Sequence, residues 1–274
     1  MPVLVLQAPV AECWQSTHGR SGMSKAFDLR ELLDSWPYDD EEHARIVELD
    51  GGRKVMQVRT PMGLEQYELE GRPDGHRPYD SVSVLDYHRA QLQEAALAGG
   101  VDEFELDEDE CAELFQEGTL YYFRYLHLFQ LREWALVAED TERNLGLFDF
   151  VHLYAEREED REHLEKWRPY LVRMNAIARS MLAAEDDNLD EALEVLRGAI
   201  ESIESLDELD EETFMFERDR SLSALRELEE QLSQVRPIPE EERLEIELQR
   251  AIETQEFERA AVLRDRLKAM RADG

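Results

Sequence analysis

Two Asp-x-x-His pairs, Asp149 with His152 and Asp160 with His163, have the spacing in this chain best suited to chemistry. On a helix each pair sets a carboxylate and an imidazole one turn apart, a spacing that helical bundles use to hold metals. Such sites normally carry Glu-x-x-His and further inward glutamates. Here Glu158, Glu159 and Glu162 surround the second pair, as on a solvated helix face. With 65 Asp and Glu in 274 residues, composition alone supplies pairs at this spacing, and no metal site is expected.

The other chemistry-bearing groups reduce to packing in the same way. Tyr121, Tyr122, Phe123, Tyr125 and Phe129 form an aromatic run on which bases would stack, but Arg124 is its one Arg or Lys and acids flank it. Packing between helices is the expected use. Arg72, His76 and Arg77 surround Pro73-Asp74-Gly75 as a small basic loop, able to hold an anion or a peptide carboxylate and read here as an exposed turn. Cys13 and Cys111 form no CxxC pair, so neither zinc nor a disulfide framework is indicated. No G-x-x-x-x-G-K-[ST] phosphate loop occurs. Lacking a nucleophile, a phosphate cradle and a poised acid–base pair, the chain is expected to be a non-enzyme without a cofactor.

Charge narrows the partners. Lys and Arg number 31 against 65 Asp and Glu, a net charge of −34. Such a surface repels phosphate backbones and anionic lipid heads, so direct nucleic-acid binding is not expected; a solvated acidic surface is the plain reading. Apolar residues at 42% are enough for proper cores. No apolar run approaches the roughly 20 residues that cross a bilayer. A reducing, cytoplasmic setting without membrane contact is the expectation. Residues 1–22 read as a disordered extension, with Met23 as an alternative start, because Met1–Val10 lacks the basic n-region of a signal peptide.

The pattern predicts a mainly α fold. A small α+β unit, residues 23–100, carries three strands at Ala44–Leu49, Lys54–Thr60 and Leu64–Glu70, split by Asp50-Gly51-Gly52 and Pro61-Met62-Gly63. By alternation Val47, Leu49, Met56, Val58, Tyr67 and Leu69 share one face of an antiparallel meander, which must pack on a helix. A helical array spans residues 101–236. Helices are expected at Val82–Ala98, from Asp107 through the aromatic run, at Leu131–Ala155, Asp160–Ala184, Leu189–Ile203 and Glu212–Val235. Asp107 with Glu110, and Asn188 with Glu191, have capping-box spacing. Leu189-Asp-Glu-Ala192-Leu with Ala199-Ile200, and Leu131-Arg-Glu-Trp134-Ala135, are similar to tetratricopeptide helix starts, which implies antiparallel helical hairpins. Pro237-Ile-Pro239 ends the array.

Beyond it, Leu244, Leu248, Ala251 and Ile252, then Ala260, Leu263, Leu267 and Met270, recur at helical spacing around the joint Glu253-Thr-Gln-Glu256. Two amphipathic helices so closely joined fold back antiparallel, giving a hairpin over residues 240–271. Its charge is polarised: eight acids and two arginines from Glu240 to Glu258, five bases and one acid from Arg259 to Arg271. Leu248-xx-Ala251-Ile252, then Phe257-Glu258-Arg259-Ala260-Ala261-Val262-Leu263-Arg264-Asp265-Arg266-Leu267, resembles the UVR motif, found in UvrB, UvrC, protein-arginine-kinase activators and some Clp unfoldases. That resemblance covers 32 of the 274 residues. It implies a hairpin that docks on a matching hairpin or another protein through Leu248, Ile252, Phe257, Ala260, Ala261, Leu263, Arg264, Arg266 and Leu267.

The helicase and ATPase loops, paired zinc cysteines and nuclease motif of those relatives are absent. The expected function is therefore a protein-interaction adaptor or regulator, docking a partner or a second copy of itself. The alternative is an accessory factor of nucleotide excision repair that binds UvrB, UvrC or DNA.

Overall fold

The computed structural model describes residues 28–100, 104–235, 240–253 and 256–273. The extension at 1–22 and the boundary at Pro237–Pro239 lie outside the described residues. A short helix α1 (Arg30–Ser35) leads into β1 (Ala44–Glu48), β2 (Lys54–Thr60) and β3 (Gly63–Glu68), an antiparallel meander in that order. The sheet is the one expected, but one strand presents its other face. Ala44 lies opposite Val58, and Ile46 opposite Met56, which in turn lies opposite Tyr67. Ala44 and Ile46, not Val47 and Leu49, therefore join Met56, Val58, Tyr67 and Leu69 on the core. The turn sets this register, closing with Leu49 N–H donating to the Arg53 carbonyl at 2.8 Å, and a register shifted by one residue exchanges every side chain between faces. On the opposite face, Arg59 donates to the Trp36 carbonyl at 2.8 Å and Arg45 lies 3.9 Å over the Trp36 ring.

Helix α2 (Val84–Ala98) starts at Ser83, whose hydroxyl accepts from Asp86 N–H. It stops at Gly99, left-handed at φ 81°, as its glycine pair predicts. Helix α3 (Glu108–Gln130) opens on a complete Asp107–Glu110 capping box, and α4 (Trp134–Tyr154) returns antiparallel against it. The expected helix Asp160–Ala184 is three pieces: α5 (Glu158–His163), a 3-10 turn at Glu165–Trp167 and α6 (Arg168–Glu185). Pro169 is the cause. Its ring cannot enter a helix interior but suits a first turn, so it starts α6 instead of continuing α5. Helices α7 (Leu189–Glu204) and α8 (Glu212–Val235) complete a layered array in which α3, α4, α6, α7 and α8 pack in succession. Asn188 caps α7, accepting from Glu191 N–H. The aromatic run packs inward through Tyr121 and Tyr125, while Phe129 meets Trp134 edge-on at 5.2 Å.

Sheet and array share one core, and two buried charges fasten the joint. Glu117 of α3 is wholly buried. It accepts from Val84 N–H at 2.7 Å and Leu85 N–H at 3.1 Å, the first turn of α2, and it pairs with Arg143 of α4 and Arg72 of the loop after β3. Arg124 of α3 donates to Asp140 of α4 at 2.8 Å and to the Glu68 and Gly71 carbonyls at 2.7 and 2.8 Å.

Removing one member of such a network leaves the others buried without partners, at a cost of about 3–5 kcal/mol. Glu117→Ala should lower the unfolding free energy by about that much, read from the urea midpoint; a loss under about 1 kcal/mol would show that the network contributes little. The histidines give a second expectation. Burial pushes the His88 and His127 imidazoles below their ordinary value, outweighing at His88 the upward pull of Glu110, Glu113, Glu117 and Asp107. Protons then bind the unfolded chain first, so stability is full above about pH 6.5 and falls as the pH drops below it. Urea midpoints taken from pH 7 down to about 5 should decline, and less steeply in His88→Gln; a flat wild-type profile would contradict this.

Candidate docking hairpin

The chain's last two helices, α9 (Glu240–Glu253) and α10 (Phe257–Asp273), pack on each other more than on any other described element. Glu256 N–H donates to the Ala251 carbonyl at 2.8 Å, closing α9 where the chain turns. Leu244 and Ala251 of α9 meet Leu263 and Leu267 of α10 in a small core of their own, with Leu248 packed against it. The four-residue steps from Leu244 to Leu248 and from Leu263 to Leu267 produce this seam, since residues four apart lie one above the other on a helix. Electrostatics reinforce it. Arg259 of α10 pairs with Glu247 of α9 at 3.6 Å and with Glu256, just before α10, at 3.2 Å, so a base of the second helix meets an acid of the first and one of the joint.

The hairpin sorts its residues into two sets. Leu248, Leu263 and Leu267 serve its interior. Ile252 is 47% exposed and Phe257 70% exposed, on either side of the turn, so both sit at the hairpin's tip. Ala261 is half-buried, Arg264 and Arg266 are exposed, and Arg264 reaches Asp265 at 2.9 Å; the Ala260 side chain lies outside the described residues. Val262, 67% exposed, was not among the expected contact residues. Its signal was present: one position before an inward Leu263, it falls about 100° around the helix from the seam.

Residues 242–273 match the UvrB/uvrC motif. The UVR hairpin thus spans the matched residues, and the match supports an interaction role mediated by it. No curated protein and no solved structure matches the chain.

Elsewhere the chemistry-bearing groups are held by their own neighbours. Asp149 pairs with Arg168 at 2.8 Å, Asp160 lies 3.4 Å from Arg157, and His163 stacks on Phe115 at 4.4 Å. Of the basic loop, Arg72 is turned onto Asp74 and Glu117. Burial pushes the Cys111 thiol up to about 12, which keeps it protonated and a poor nucleophile. Among the described residues, no group of three or more His, Cys, Asp or Glu is placed to hold a metal, and no helix is long and apolar enough to cross a membrane.

The two sets predict separable defects. Leu263→Asp buries a charge without a partner and should unfold the UVR hairpin while leaving the array intact. Amide hydrogen exchange would show protection lost over residues 240–273 alone; unchanged protection there would refute the assignment of Leu263 to the interior.

Proposed function

We propose that this chain is a non-catalytic adaptor or regulator: its UVR hairpin docks one partner and its helical array holds another. The observation that carries this reading is the hairpin's division of labour. Its own core is closed by Leu244, Leu248, Ala251, Leu263 and Leu267, yet Ile252, Phe257 and Val262 stand in water at one end and along one helix. Exposed aromatic side chains are typical anchors of protein interfaces. Arg259, Arg264 and Lys268 on the same helix would favour an acidic partner surface and oppose a basic one.

Phe257→Ala tests this directly. An exposed side chain contributes little to folding, so stability should change by less than about 0.5 kcal/mol. Partner affinity should fall roughly 30-fold, equivalent to about 2 kcal/mol. The measurement is a pull-down from native lysate with the full chain, its variant and a chain lacking residues 237–274, followed by titration of the captured partner. Partners retained unchanged by both altered chains would refute hairpin docking.

The matched motif favours a second reading, an accessory role in nucleotide excision repair with the UVR hairpin engaging UvrB or UvrC. The net charge of −34 opposes direct DNA contact in that role, so protein contact would carry it. Normal ultraviolet survival of cells lacking the protein would remove its basis.

A further inference from the structure

A groove of about 470 Å³ runs between α6 and α7. Val172 and Ala176 of α6, with Val195 and Ala199 of α7, give it an apolar floor. Beside that floor lies Gly198, inside α7. Glycine in a helix interior costs up to about 1 kcal/mol relative to alanine. At Gly198 an added Cβ would meet nothing within 4 Å among the described residues beyond its own helix backbone, so the space beside α7 is open there. What the glycine leaves is bare helix backbone at the groove's edge, where another chain can approach closely.

The rim is charged and partly unengaged. Arg179 stands on the α6 side, Glu191 and Glu194 on the α7 side. Among the described residues the Arg179 and Glu194 side chains take no hydrogen bond or ion pair, while Glu191 is joined to Asn188. A carboxylate rim attracts bases, and the guanidinium opposite repels them, so a basic occupant has one favoured orientation.

We propose that the α6–α7 groove seats a basic amphipathic helix of a partner protein. Small apolar residues of that helix lie along Gly198 and the valine–alanine floor, and its lysines or arginines face Glu191 and Glu194. This is helix-in-groove recognition, in which closely approaching backbones let short side chains interdigitate. It rests on the array being the part of the adaptor that holds a client, and it names the client's chemistry.

The test uses the full chain and fluorescence anisotropy at physiological salt. The probe is a labelled helical peptide with alanine and leucine on one face and lysine on the other. Gly198→Leu fills the open space, leaves the charge unaltered and raises helix propensity, so its melting temperature should be no lower than wild type. Peptide affinity should nevertheless fall at least tenfold, about 1.4 kcal/mol. Glu194→Lys should also weaken binding, and a glutamate-faced version of the peptide should not bind. Phe257→Ala should bind the peptide as wild type does. Equal affinity for wild type and Gly198→Leu would assign the attraction to net charge alone and overturn the proposal, as would no binding to wild type. If the groove fails while Phe257→Ala still loses its own partner, hairpin docking stands without this client site. If the peptide result holds but the hairpin variants keep all partners, hairpin docking falls alone.

Discussion

One buried carboxylate organises the body of this protein. Glu117 stands at the start of α2, where the helix's first amides lack intrahelical acceptors and carry partial positive charge. It takes two of those amides, Arg143 from α4 and Arg72 from the loop after the sheet. Three helices and the sheet's exit loop therefore share a single anion, and without it the two buried α2 amides would lose their acceptor. Arg124 is its counterpart of opposite sign, taking the Glu68 and Gly71 carbonyls at the end of β3 together with the Asp140 carboxylate. Burial of apolar side chains supplies most of the driving force here. These two charges decide which way the sheet sits on the helices, because a shifted arrangement would strand ionised groups in the core.

The body and the UVR hairpin are stabilised on different terms. The first has an extended core running from Met56 and Val58 of the sheet to Leu171 and Met174 of α6, continued by a second cluster around Leu196, Ile203 and Leu225. Among the described residues, the second centres on Leu244, Ala251, Leu263 and Leu267, with Leu248 beside them. An interaction module attached in this way can change partners over evolution without disturbing the fold it serves, since the body's packing does not run through it.

Periodicity made most of this architecture legible. The start of α7 at its Asn188 cap, the Asp107–Glu110 cap and the glycine stop after α2 follow from local rules that need only a few neighbouring residues. Errors arose where local rules compete with something else. At Pro169 the helical periodicity continues across a residue whose ring forbids the helix carrying α5 into α6. For β1, alternation gives two equivalent faces and only the turn selects one, here Ala44 and Ile46. Glu117 was invisible for a different reason: it is one of nine acids between Val101 and Thr119, and what distinguishes it is two arginines and two amides brought from distant segments. In the hairpin, spacing identified both helices and the match to the motif, but it did not separate the leucines that hold the hairpin closed from the Ile252, Phe257 and Val262 side chains left outside.

The shortness of the hairpin has a consequence for the lifetime of the tail. Two helices of 14 and 17 residues can bury little apolar surface by themselves, which places the hairpin's opening near the low end of the free energies at which parts of a protein unfold locally. A partner that binds only the closed form adds RT ln(1 + [L]/Kd) to that opening free energy. Proteases that cut opened segments would therefore trim α9 and α10 from chains without a partner and spare those that have one. In this way the abundance of the partner would set how many molecules keep the segment that recognises it.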